Sequence, residues 1–136
     1  MNKAVNAAPK PLEVLVIDDD EIMRELVTDW LEAAGYAVRK ATSCRAWIGQ
    51  LLGPPSPALI VTDMFMPGPC GTEAIAKLKK QHPGTALIAV SGHFNSGEVI
   101  SAEAALAAGA DRALAKPVKR ADLLRAAAEL VGAPVR

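Results

Sequence analysis

From residue 12 to residue 131 the chain alternates between short apolar runs and longer stretches in which apolar side chains recur every three or four positions. Val14-Leu15-Val16-Ile17 is an unbroken, mostly β-branched run, the pattern of a strand covered on both faces. Ile22, Met23, Leu26, Val27, Trp30, Leu31 and Ala34 follow at helical spacing and stop at Gly35, which predicts a helix and its end. Tyr36 to Lys40 predicts a second strand. Ser43 caps a predicted helix carrying Trp47, Ile48, Leu51 and Leu52, closed by Gly53-Pro54-Pro55. Ala58-Leu59-Ile60-Val61-Thr62 predicts a third strand ending on Asp63, and Met66-Pro67-Gly68-Pro69 breaks the chain before a helix through Ala74, Ile75 and Leu78. Ala86 to Val90 predicts a fourth strand ending on Ser91. An alanine-rich helix near Ile100 to Ala108, a short strand around Arg112 to Ala115 and a last helix from about Lys119 to Val131 complete the series.

Strands and helices in this order predict an α/β protein with a parallel sheet, because parallel neighbours need crossover connections and helices fill them. One doubly wound five-stranded sheet flanked by five helices accounts for every segment. At 136 residues the chain holds one domain with a full core and not two. Its expected bounds are residues 12–131, with residues 1–11 as a flexible lead-in and residues 132–136 as a loose tail. Met1 and the loose ends lead to the expectation of a whole gene product without an attached output domain.

Acidic and basic residues balance at fifteen each. No global field therefore draws the chain to nucleic acid or anionic lipid, and neither is expected as a partner. No apolar stretch reaches the length of a membrane span and the start of the chain lacks the apolar core of a secretory signal, so a cytoplasmic location is expected. Cys44 and Cys70 stand outside any metal-ligand spacing and read as reduced thiols of an intracellular protein.

Asp18-Asp19-Asp20 stands directly after the first strand. At an effective dielectric near 20, two unit charges ~4 Å apart interact by about 4 kcal/mol, so acids massed at a buried strand end require a cation. A hard divalent ion such as Mg²⁺ suits oxygen ligands. Ligands of α/β sheets bind beyond the carboxyl ends of the strands, where Asp63, Ser91 and Lys116 follow the third, fourth and fifth strands. Three carboxylates, a hydroxyl and an ammonium are the parts phosphoryl transfer uses: ligands for Mg²⁺, a hydrogen-bond donor and a counter-charge. Asp63, the lone acid on the central third strand, is the expected nucleophile that becomes an acyl phosphate. Asp18 and Asp19 pair to hold the ion, and Asp20 reads as a helix cap or first-turn charge.

On these residues the sequence resembles the receiver domain of two-component response regulators, of the stand-alone chemotaxis-regulator type. The family's acidic pair matches Val16-Ile17-Asp18-Asp19-Asp20, and its phosphoacceptor motif matches Thr62-Asp63-Met64-Phe65-Met66-Pro67 with Gly71 following. Its hydroxyl residue matches Ser91, followed by the small Gly92, and its lysine matches Lys116 in Ala115-Lys116-Pro117. The resemblance implies a flavodoxin-like fold with strand order 2-1-3-4-5 and a cis Lys116–Pro117 bond. It implies that Asp63 takes a phosphoryl group from a phosphohistidine of a sensor kinase or a histidine phosphotransfer protein. It also implies that Asp19 and Asp63 ligate Mg²⁺ directly, Asp18 mostly through water, and the Phe65 backbone carbonyl completes the protein ligands. Such a chain is not an enzyme on other molecules; it catalyses its own phosphorylation and dephosphorylation and signals through protein–protein contacts with a downstream protein.

Several positions depart from the family pattern. Ala113 stands three before the lysine, where relatives carry Tyr or Phe as the readout of phosphorylation, and Val118 stands where Phe is common. The segment His93-Phe94-Asn95-Ser96-Gly97 lengthens the connection between Ser91 and Lys116. Phe65 occupies the position two after the nucleophile where fast self-hydrolysing relatives hold water with a polar group, which predicts a long-lived phosphate; His93 is the rival residue for that role. Ala113 gives weight to an alternative reading, a receiver-like binding module that works without phosphorylation. A phosphohydrolase of the haloacid dehalogenase type is disfavoured, because its second acid two after the nucleophile is here Phe65. No glycine-rich phosphate loop follows any strand, so no nucleotide cofactor is expected.

Overall fold

The computed structural model describes residues 12–42, 56–64, 71–92 and 102–133. Within them the chain runs β1 (Glu13–Ile17), α1 (Glu21–Ala33), β2 (Ala37–Ala41), β3 (Leu59–Asp63), α2 (Gly71–Gln81), β4 (Ala86–Ser91), α3 (Ala102–Ala108), β5 (Arg112–Ala115) and α4 (Arg120–Val131). The five strands form one parallel sheet in the order β2-β1-β3-β4-β5, as the resemblance implies. Four helices are present among the described residues. The helix expected from Ser43 to Leu52 lies outside them, as do Cys44, Cys70, Phe65 and the His93 to Gly97 segment.

Successive strand side chains point to opposite faces, so β1 feeds two cores at once. Val14 and Val16 pack with Val27 and Leu31 of α1 and Leu123, Ala126 and Ala127 of α4. Leu15 and Ile17 pack on the other face with Ala74, Ile75 and Leu78 of α2 and Ala105 of α3. Both layers are dry: Val14, Leu31, Leu59, Leu78, Leu87, Ile88 and Leu123 are fully buried. Each such aliphatic side chain contributes about 1.5–3 kcal/mol by leaving water, which holds the central strands rigid and fixes where their carboxyl ends stand.

The expected boundaries shift by a residue or two for local reasons. Tyr36 was expected in β2 but belongs to the end of α1: its N–H donates to the Leu31 carbonyl (3.1 Å) and Gly35 N–H to Glu32 (3.0 Å), with Gly35 at φ 107°. This paired closure of a helix end uses the left-handed conformation that glycine adopts without strain. β2 therefore starts at Ala37. Asp20 caps α1 as expected, its Oδ1 accepting from the N–H groups of Ile22 (3.0 Å) and Met23 (3.3 Å). Lys119, expected inside the last helix, is instead its N-cap residue and makes no side-chain cap bond.

A polar clamp at the far end of the sheet ties three elements. Asp111 Oδ2 accepts from Leu87 N–H (2.8 Å) and from Lys79 Nζ (3.2 Å), and Lys79 also donates to the Thr85 carbonyl (2.7 Å). The aliphatic stem of Lys79 runs past Gly109, where an added Cβ would stand 3.1 Å from Lys79 Cγ at φ +128°. The Tyr36 hydroxyl donates to the Gly132 carbonyl (3.2 Å), fastening the end of α4 beside β2.

Candidate functional site

β1 and β3 are adjacent and in register, with Ile17 opposite Thr62. Asp18 and Asp63, one residue further along each, therefore stand side by side at the carboxyl edge of the sheet. Asp18 and Asp63 are both buried, while Asp19 is exposed. One carboxylate oxygen from each of Asp18, Asp19 and Asp63 lies within 4.8 Å of the others. A hard cation matches that oxygen donor set.

Lys116 reaches this group from the end of β5, with Nζ 3.3 Å from Asp63 Oδ2 and 3.7 Å from Asp18 Oδ2. The lysine is placed by its own backbone, since its N–H donates to the Ser91 carbonyl (3.1 Å), extending the β4–β5 pairing of Ser91 with Ala115. The Lys116–Pro117 peptide bond is cis. Ser91 is buried as the last residue of β4, and an added Cβ on Gly92 would stand 3.8 Å from Lys116 Cβ. A small residue at that position suits the close approach of the two loops. The structure thus brings Asp18, Asp19, Asp63 and Lys116 into one cluster and sets Ser91 on the strand between Asp63 and Lys116. Phe65 falls outside the described residues.

The electrostatics are those of acids held against their preference. Burial pushes the Asp18 carboxyl above the usual carboxylate range, and repulsion from Asp63 and Asp20 acts the same way. The Asp20 N–H, which donates to Asp18 Oδ1 at 2.9 Å, and the Lys116 ammonium pull in the other direction without prevailing. One lysine does not compensate three clustered acids. A cluster of that sign and donor type fits a hard divalent cation.

The loop carrying the acidic pair is held by a residue that the sequence patterns did not single out. Arg24 Nη1 donates to the Asp18 backbone carbonyl at 2.9 Å. A signal was available: a cation one turn into a helix is disfavoured by the helix dipole, so Arg24 needed a partner beyond the helix start.

The sequence model of the response regulator receiver domain matches residues 14–128 of the chain. The transcriptional regulatory protein FixJ of Azorhizobium caulinodans is 36% identical over 124 residues, spanning 91% of this chain and 57% of that protein. The chain spans about half the length of the curated relatives it matches first. A CheY-like receiver domain protein from Methanospirillum hungatei superposes with a TM-score of 0.76 at 30% identity, covering 88% of this chain and 93% of that one. A response regulator from Burkholderia pseudomallei, solved with a phosphorylated aspartic acid, a calcium ion and citrate, superposes with a TM-score of 0.72 at 30% identity over 87% of this chain and 65% of that one. With the five-stranded order, the strand-end carboxylates and the lysine already in place, the match over residues 14–128 makes the chain a member of the response regulator receiver domain family, the phosphoryl-accepting modules of two-component signalling.

Proposed function

We propose that the chain accepts a phosphoryl group on Asp63 in a Mg²⁺-dependent reaction and signals through protein–protein contacts in the cytoplasm. The observation that carries this reading is the placement of Lys116 Nζ 3.3 Å from Asp63 Oδ2, beside two further carboxylates with oxygens within 4.8 Å. The phosphorylated aspartic acid and calcium ion of the Burkholderia relative support the same chemistry here.

The donor is the phosphohistidine of a sensor kinase or a histidine phosphotransfer protein. An Asp63 carboxylate oxygen attacks phosphorus in line with the P–N bond. As the new P–O bond forms, the P–N bond breaks and its electron pair returns to the imidazole, leaving an acyl phosphate on Asp63. Asp18, Asp19 and Asp63, whose oxygens cluster, would hold Mg²⁺, Asp18 mostly through water, with the Phe65 backbone carbonyl as a further ligand. When bound, the ion supplies positive charge against which the carboxylates and the phosphoryl oxygens are brought together. Lys116 contributes an ammonium to a phosphoryl oxygen, and the Ser91 hydroxyl donates a hydrogen bond to another. Ile22 and Leu26, exposed on the first turns of α1 next to the acidic pair, provide apolar area for the donor protein.

A second reading, a binding module that works without phosphorylation, draws on Ala113, which leaves β5 without an aromatic side chain to report on the site. One experiment separates the two. Incubation with acetyl phosphate and Mg²⁺, followed by intact mass, is expected to add one phosphoryl group to the wild type and none to Asp63→Asn or to the wild type in chelator. Absence of any gain in the wild type would favour the binding module.

A further inference from the structure

The β1–β2 ladder ends with Ile17 opposite Ala41. The Asp18 N–H still donates to the Ala41 carbonyl (3.1 Å), but the Asp18 carbonyl lies past the paired strand and is received by Arg24 Nη1 at 2.9 Å. Arg24 is itself fixed. Its backbone N–H donates to the Asp20 carbonyl (2.8 Å), its side chain is 15% exposed, and its Nε lies 4.0 Å from Glu25 Oε2. Glu25 is in turn engaged by Lys40 Nζ at 2.9 Å. A chain of contacts thus runs from the edge strand β2 through α1 to the peptide that joins the two acidic residues.

A peptide unit is planar, so holding the Asp18 carbonyl fixes the Asp18–Asp19 peptide plane and with it the direction in which Asp19 leaves the strand. Asp18 has a second anchor, the Asp20 N–H on its Oδ1. Asp19 is exposed, and among the described residues its orientation rests on that plane. We propose that Arg24 is a positioning residue for the proposed metal and phosphorylation site: through the Asp18 carbonyl it sets Asp19 against Asp18 and Asp63. The inference rests on the proposed Mg²⁺-dependent function.

The sign of the effect separates positioning from simple charge. Removing a cation from beside three carboxylates raises their attraction for a divalent ion, so a purely electrostatic Arg24 predicts tighter Mg²⁺ binding when it is lost. A positioning Arg24 predicts weaker binding, since loss of a group that orients metal ligands lowers affinity by about 10–100-fold. The test is calorimetric titration of Mg²⁺ into wild type, Arg24→Met and Arg24→Lys, with thermal unfolding in chelator as a control for folding. Methionine keeps the stem and good helix propensity but has no donor. The expected result is a Kd at least about tenfold higher for Arg24→Met, with Arg24→Lys recovering part of the loss by restoring a donor. Should Arg24→Met not fold, Arg24→Gln takes its place in the same comparison. An unchanged or lower Kd in the folded variant overturns the inference. If the wild type neither binds Mg²⁺ nor gains a phosphoryl group, the failure belongs to the proposed function itself, and the inference falls with it.

Discussion

Replacing Lys116 by methionine removes the ammonium that stands 3.3 Å from Asp63 Oδ2 and 3.7 Å from Asp18 Oδ2. At an effective dielectric near 20, those separations correspond to gross attractions of about 5 and about 4.5 kcal/mol. Most of that is offset by desolvating the lysine and ordering its side chain, and truncating one partner of a buried pair removes about 3–5 kcal/mol. Lys116 retains 23% side-chain exposure, so the net loss in the metal-free protein is placed at about 2–3 kcal/mol. At roughly 3 °C per kcal/mol for a domain of this size, Tm falls by about 8 °C. The loss depends on pH through Asp18, whose carboxyl burial already pushes up and which goes higher once the ammonium is gone. A raised folded-state pKa means that the folded state binds a proton that the unfolded state releases, so stability is regained as pH falls through the folded value. The deficit of Lys116→Met is therefore largest at alkaline pH, where Asp18 is ionised, and shrinks as pH falls through the raised folded-state titration of Asp18 into the acid range. Thermal unfolding of both proteins in chelator across that range is the assay. Equal Tm values at the alkaline end, or a deficit that does not change with pH, refute the reasoning. Saturating Mg²⁺ should raise the Tm of Lys116→Met more than that of the wild type, because the ion and the lysine offset the same carboxylates.

Three further outcomes are expected. Burial holds the His82 imidazole below its usual 6.5, with Ser56 Oγ 2.6 Å from Nδ1; the folded state then binds fewer protons than the unfolded one, and stability falls as pH drops from 6.5 through the folded value. Denaturant titrations of wild type and His82→Gln between neutral pH and about pH 5 should show a shallower decline in the variant. Asp111→Ala strands the Leu87 N–H and leaves Lys79 Nζ with the Thr85 carbonyl alone, and loses about 1–3 kcal/mol by the same titration. The Asp63 phosphate, followed by phosphate release, should decay over minutes or longer, and Phe65→Gln should shorten its lifetime by supplying a group that holds water; decay of the wild type within seconds contradicts the assignment.

The parts of the molecule legible in the sequence are those governed by short-range pattern. The unbroken run Val14 to Ile17 announces a strand buried on both faces, and the two cores it feeds are observed. Asp18, Asp63 and Lys116 converge because each stands at or just past the carboxyl end of a strand of one parallel sheet, so a rule about strand ends was sufficient to assemble residues 98 positions apart in the chain (116 − 18). The missed features depend on main-chain groups that composition does not reveal. Tyr36 reads as a strand residue by its β propensity, but the turn closing on Leu31 claims its N–H first. Arg24 looks like an ordinary helix-surface charge until its bond to the Asp18 carbonyl is seen. Asp111 and Lys79 meet across 32 positions of sequence because α2 and the start of β5 pack at the same edge.

The central claim is that Asp63 carries the phosphoryl group. Borohydride reduces an acyl phosphate to the alcohol, so a chain treated with acetyl phosphate and Mg²⁺, then reduced and digested, reports its own acceptor by peptide mass. The account predicts homoserine in place of aspartate at position 63 and unmodified aspartate at positions 18 and 19. Reduction at either of those two instead, or at no aspartate in a protein that has gained phosphate, contradicts it.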